Sequence, residues 1–146
     1  MKVLIGGFFD ILHSGHILAM AIAKSYGDYL IINISPDNRA KKKKGKGRPI
    51  LSAQERMFCV ESLRIVDEVV SIPYDDSWDE EEYQITYLKA IEPDVFIRTE
   101  YSERMSNFCR EEDIKMKILR EIPGFDKLHS TEIVERIFKL KHLYKK

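Results

Sequence analysis

Apolar positions along this chain follow two rhythms. Five short runs read as strands: Lys2 to Gly6 with Val3-Leu4-Ile5, Tyr29 to Ile34, Glu68 to Ile72, Val95 to Arg98, and about Lys115 to Leu119, of which Tyr29 to Ile34 is nearly all apolar. Such runs suit parallel strands buried on both faces. Between them the spacing becomes helical. Helices are expected from about His16 to Tyr26, from Ser52 to near Arg64 with Met57, Phe58, Val60 and Leu63 inward, and from about Glu80 to Ile91 with Tyr83, Ile85, Tyr87, Leu88 and Ile91 inward. Ser102 to Glu112 reads as a weakly patterned helix. Ser130-Thr131 opens a last one, Glu132 to about Leu143, with Ile133, Ile137, Leu140 and Tyr144 at helical spacing.

Local signals mark the joints. Gly27-Asp28 ends the first helix, Ser35-Pro36-Asp37-Asn38 turns the chain, and Lys41 to Arg48 reads as a mobile lysine-glycine loop. Ser52 with Glu55 three residues later forms a capping box. Pro73, Glu92-Pro93-Asp94 and Pro123-Gly124 close the later elements. Strands alternating with helices predict an α/β fold: one Rossmann-like, doubly wound domain over residues 1–146 with a five-stranded parallel sheet. In such sheets ligands lie beyond the carboxyl ends of the strands, where the strand order reverses. If the first and fourth strands are neighbours, the segments that follow them line one crevice.

Composition narrows the class. The chain has 146 residues, enough for a core without staples, and its 24 basic and 24 acidic residues cancel. That balance gives no bias toward nucleic acid or membrane, although Lys41 to Lys46 is locally basic and Asp75 to Glu82 acidic. A single lysine run without interleaved aromatics is weak support for nucleic-acid binding. Cys59 and Cys109 lack metal-like spacing, and Cys59 reads as a buried, inert thiol. No signal pattern or membrane-length apolar run is present, so a cytoplasmic protein is expected.

The chemistry concentrates in Gly6-Gly7-Phe8-Phe9-Asp10-Ile11-Leu12-His13-Ser14-Gly15-His16. A strand, a glycine-rich turn and a helix start bring backbone N–H groups to one point, an anion site. Gly15 lets a phosphate approach the backbone closely. His13 and His16 suit three roles: metal ligands, a general base, or donors to phosphate oxygens as charge builds. Satisfied polar side chains at a helix start are the bland alternative.

Gly7 to His16 resembles the G-x-F-D-x-x-H-x-G-H signature of the cytidylyltransferase family, in the nucleotidyltransferase superfamily. Further along, Gly27-Asp28-Tyr29-Leu30, Ser35-Pro36-Asp37, Arg48-Pro49, Glu55-Arg56, Leu63 to Val70 and His129-Ser130-Thr131-Glu132-Ile133 resemble family segments. The resemblance implies that a nucleoside triphosphate, carrying Mg²⁺, reacts with a small phosphorylated alcohol or sugar and releases pyrophosphate. His13 and His16 would stabilise charge at the α-phosphorus, with Gly7, Phe8, Phe9 and Gly15 cradling it. Asp10 would orient the first histidine or help hold the metal. Lys44 and Lys46 would meet phosphate, Lys44 and Asp37 the acceptor, and Ser130 and Thr131 the β,γ-phosphates. Arg56 and Arg64, eight residues apart and roughly 80° apart in azimuth on one helix, would also reach phosphate. Arg98, Thr99 and Glu100 would border the nucleotide. Family members of this size are usually homodimers, and the surface near Phe58 or Tyr83 could serve.

The chain departs from the pattern at Arg98 to Ser102, where a glycine is missing, and at Phe125 to His129, where an arginine is missing. CTP is favoured by Leu63 to Val70 and by length. ATP is the alternative, since Lys44 to Pro49 with Glu55-Arg56-Met57 also resembles the adenylyltransferase half of ADP-heptose-forming enzymes, and archaeal FMN adenylyltransferases share the front motif. A non-catalytic nucleotide-binding module is the remaining reading.

Overall fold

A computed structural model describes residues 1–121 and 130–143. The predicted turn at Pro123-Gly124, the segment Phe125 to His129 and Tyr144 lie outside the described residues. Five strands, β1 (Lys2–Gly7), β2 (Tyr29–Ile34), β3 (Glu68–Val70), β4 (Val95–Arg98) and β5 (Lys115–Ile118), form one parallel sheet in the order β3-β2-β1-β4-β5. The helices are α1 (Ser14–Lys24), α2 (Asp37–Lys44), α3 (Ala53–Glu61), α4 (Glu80–Ile91), α5 (Glu103–Glu111) and α6 (Ser130–Lys139). Short 3-10 turns follow β5 and α6.

The expected α/β, Rossmann-like parallel sheet is therefore present. The central register pairs Ile5 with both Ile32 and Ile97, so β1 and β4 are neighbours and the strand order reverses between them. Alternation along the strands divides the core. Val3, Ile5, Val95 and Ile97 face Met20, Ala23 and Val60 on one side, while Leu4 and Phe96 face Tyr83, Tyr87, Leu88 and Met105 on the other. We refer to these as the α1 face and the α4 face.

Local chemistry explains several boundaries. The Ser52–Glu55 capping box forms as expected, with Glu55 N–H donating to Ser52 Oγ at 3.3 Å and Ser52 N–H to Glu55 Oε2 at 2.8 Å. β3 stops at Val70 because side chains replace the ladder beyond it. Ile72 N–H donates to Asn33 Oδ1 at 3.1 Å, and the Ser71 hydroxyl to the Ile34 carbonyl at 2.8 Å.

Several expectations need correction. The lysine run is not a loop: Asp37 to Lys44 is helical, begins just after Pro36, and ends only at Gly45, whose φ of 90° suits glycine. Nothing between Asp37 and Lys44 breaks a helix, and lysine propagates one well. Second, α3 ends at Glu61, so Arg64 lies exposed beyond it and does not share a helix with Arg56. Third, Phe58 is 72% exposed and turned away from the core, whereas Tyr83 is 1% exposed and offers no free surface. Fourth, Ile137 and Leu140 on and just after α6 are exposed rather than inward, and Cys59 is half-buried rather than buried. Among the described residues no helix is long and apolar enough to cross a membrane.

Candidate functional site

The turn from β1 into α1 is held in an uncommon backbone shape. Phe9 and Ile11 have φ of 49° and 52°, left-handed values rare for such residues. Phe9 is buried, and its ring occupies the space beside Gly7: a Cβ there would stand 2.9 Å from two ring carbons. Gly7 is thus required by packing as much as by ligand approach. The Phe9 ring meets His16 edge-on, with centroids 5.3 Å apart and planes at 79°.

His13 caps α1. Its Nδ1 accepts the Gly15 N–H at 3.1 Å, which leaves the proton of the neutral ring on Nε2. The His13 and His16 rings stack with centroids 3.7 Å apart. His13 is buried in the layer behind, and His16 reaches the cavity wall.

Asp10 is engaged with the segment after Gly47. Its carboxylate accepts N–H groups from Ile50 at 2.8 Å and Leu51 at 3.0 Å, and Nε of Arg48 at 3.1 Å. Burial raises its pKa, but the Ile50 and Leu51 hydrogen bonds and the Arg48 charge together hold it below the ordinary 3.8. Both oxygens are committed, so Asp10 fits a clamp on the segment after Gly47 better than a metal ligand. Arg56, fully buried, is a second clamp. It donates to the Phe8 carbonyl at 2.6 Å, the Leu51 carbonyl at 3.0 Å and Asp37 Oδ1 at 2.7 Å. Arg56 is spent on Asp37 and two backbone carbonyls, and neither Arg56 nor Asp37 lines the cavity. Among the described residues no group of three or more His, Cys, Asp or Glu could hold a metal.

A cavity of about 710 Å³ opens over the carboxyl ends of β1 and β4, at the reversal of strand order. Gly7, Phe8, Phe9, Asp10, Gly15 and His16 form one side of it. Lys44, Arg98, Thr99, Glu100 and Thr131 also line it, while Lys46 and Arg64 do not. Ser130 is the first residue of α6. Because Lys46 sits between Gly45 and Gly47, both at positive φ with open space around them, the chain there turns away from the wall.

The cation wall is larger than the sequence suggested. Arg39, Lys43, Lys44 and Arg48 all border the cavity. Arg39 is buried between the Phe8 and Tyr83 rings, 4.7 and 4.9 Å from their centroids. It donates to Ser35 Oγ at 2.7 Å and to Glu80, which also takes Lys43 at 2.6 Å. Burial and then the charges of Arg48, Lys43 and Arg39 push the Lys44 pKa down. A polyanion placed here would relieve that crowding. Reading Asp37 to Lys44 as a helix would have revealed the pair, since Arg39 and Lys43 are one turn apart and both reach Glu80. On the far wall, Arg120 pairs with Glu100 at 3.1 Å.

Comparison with known proteins adds a lineage. Residues 4–136 match the family described as Cytidylyltransferase-like. The chain is 33% identical over 138 residues to "Bifunctional protein HldE" of Helicobacter pylori (strain P12), and 40% identical over 135 residues to that of Aliarcobacter butzleri (strain RM4018). These matches cover 92% of this chain but only 27% and 26% of those proteins, so the chain spans about a quarter of their length. It is 32% identical over 145 residues to "FAD synthase" of Pyrococcus abyssi (strain GE5 / Orsay), covering 99% of this chain and 83% of that one. Among solved structures, the lipopolysaccharide core biosynthesis protein from Thermoplasma volcanium GSS1 superposes with a TM-score of 0.66 at 24% identity, over 81% of this chain and 93% of that one. That likeness concerns the fold alone.

Proposed function

The chain belongs to the cytidylyltransferase-like family of nucleotidyltransferases, and from that premise we propose that it joins a nucleoside triphosphate to a small phosphorylated acceptor. A phosphate oxygen of the acceptor attacks the α-phosphorus in line. A new O–Pα bond forms, the bond from Pα to the bridging oxygen breaks, and its electron pair leaves with pyrophosphate. No enzyme nucleophile is needed, so positioning and charge stabilisation carry the rate.

The observation that carries this reading is the His13–His16 stack beside a cavity lined by Arg39, Lys43, Lys44 and Arg48 among its cations. His16 donates to an α-phosphate oxygen as charge grows. His13, with its proton fixed on Nε2, backs it and closes the start of α1. Lys44, Arg39 and Arg48 neutralise the polyphosphate and the incoming acceptor, and Thr131 at the start of α6 borders the β,γ-phosphates.

ATP is the donor we propose first. The relative named for FAD synthesis aligns with nearly the whole chain, and Lys44 to Met57 resembles adenylyl-transferring enzymes. CTP is the second reading, supported by Leu63 to Val70. A matrix of triphosphates against phosphorylated acceptors, read by pyrophosphate release with Mg²⁺, separates them. His16→Ala is expected to lower kcat by about a hundred- to a thousandfold while the thermal midpoint stays in place. Nucleotide binding without turnover on any acceptor would instead make the chain a non-catalytic binding module.

A further inference from the structure

The cavity straddles the sheet, and its two sides differ in chemistry. On the α1 face it is bounded by Ala19, Ile97 and Leu119, close to His16. On the α4 face it is bounded by Tyr83, Gln84, Tyr87, Phe96 and Arg98. Arg98 follows Phe96 by two residues in β4 and so projects to that same face, where its charge is felt by Tyr87 and Cys109.

Two buried polar atoms on this wall have no hydrogen-bond partner among the described residues: Oε1 of Gln84 and Nη1 of Arg98. The Gln84 amide cannot be turned round, because its Nε2 donates to Glu80 Oε1 at 3.2 Å and a carboxylate only accepts. Oε1 therefore lacks a donor, and Nη1 lacks an acceptor. Buried polar groups are nearly always paired, and an orphan in a cavity wall is best explained by the ligand that completes it. Glu80 is also held by Arg39 and Lys43, so the Gln84 amide is anchored to the cations that would meet a phosphate.

We infer that the α4 face of the cavity is the acceptor subsite, where Gln84 and Arg98 read neighbouring hydroxyls of a phosphorylated polyol or sugar. This rests on the nucleotidyl-transfer reading above. In-line attack needs the nucleophile and the leaving pyrophosphate on opposite sides of the α-phosphorus. With His16 and the starts of α1 and α6 serving the triphosphate, the α4 face is left for the nucleophile. A hydroxyl donates and accepts, so a diol satisfies both orphaned atoms. A flat aromatic acceptor fits less well, because the rings here are engaged with one another. Tyr83 and Tyr87 meet edge-to-face at 5.2 Å, Tyr87 and Phe96 at 5.9 Å, and Arg39 covers Phe8 and Tyr83.

Gln84→Met and Arg98→Met test this beside the unaltered protein, with glycerol 3-phosphate, a hexose 1-phosphate and FMN as acceptors. The polyol phosphates are expected to turn over and FMN not. Gln84→Met should lower kcat/KM for the acceptor about tenfold, and Arg98→Met about a hundredfold. Calorimetric affinity for the triphosphate alone should be unchanged. Thermal midpoints should hold or rise, since each change removes an unpaired buried group. Weaker triphosphate binding with an unaltered acceptor KM would assign the pair to the base and overturn the inference. FMN as the preferred acceptor would overturn it too. Absence of turnover with every triphosphate and acceptor would instead remove the nucleotidyl-transfer reading itself.

Discussion

Arg56 and Arg98 are both inward-turned arginines near the carboxyl edge of the sheet, and the fold uses them in opposite ways. Arg56 is fully buried and spends Nε, Nη1 and Nη2 on Leu51, Phe8 and Asp37, tying three separated segments together. Arg98 lines the cavity and carries a buried nitrogen with no partner among the described residues. The same contrast separates Asp10, whose carboxylate is saturated, from Gln84, whose carbonyl is not. Saturation by separated segments marks Arg56 and Asp10 as scaffold, while the orphaned atoms of Arg98 and Gln84 are open to something outside the chain. Residue type and position in a motif do not distinguish the two; hydrogen-bond accounting does.

Breaking a clamp should cost stability, whereas altering the open wall should cost turnover. The largest stability effect is expected for Arg56→Ala, which leaves the Phe8 and Leu51 carbonyls without their donor and a void where the buried side chain was, and removes about 3 kcal/mol in urea unfolding. A loss below about 1 kcal/mol would move Arg56 out of the scaffold. Asp10→Asn comes next, at about 2 kcal/mol, because an amide offers one acceptor oxygen where the carboxylate has two. The sign with pH follows from its depressed pKa. The folded carboxylate holds its proton less tightly than the unfolded one, so its contribution is complete above the ordinary 3.8 and disappears as pH falls through the lower folded value. Stability curves of the native protein and Asp10→Asn should therefore converge below about pH 3.8. The smallest effect concerns the thiols. Burial, partly offset by Arg98, pushes Cys109 up to about 11, and the residue is 1% exposed. Labelling at pH 8 should modify half-buried Cys59 first and leave Cys109 intact until unfolding.

Hydrophobic rhythm made the sheet legible. Continuous runs such as Tyr29–Ile34 and Val95–Arg98 can be satisfied only in the middle of a covered parallel sheet, and their ends fall where expected. The motif's place after β1 was equally readable, since Gly7 and the His13 cap are local features. Less readable was anything fixed by partners distant in sequence. Glu80 pulls Arg39 and Lys43 into the wall, so a stretch that looks like a solvated lysine loop becomes a helix with a buried arginine. Arg56 and Asp10 match motif positions, yet what they touch depends on how the segment from Arg48 to Leu51 folds back onto Asp10. Phe58 counted as core by spacing, but α3 has an exposed face there and Met57 and Val60 pack instead.

The cation wall also bears on how the proposed reaction would end. Arg39, Lys43, Lys44 and Arg48 attract a polyphosphate whichever side of the chemical step it stands on. In that reaction pyrophosphate would carry much of the charge that drew the triphosphate in, so the same wall would hold it after bond exchange. Its removal would then free the site for the next triphosphate, and its retention would slow turnover as product inhibition.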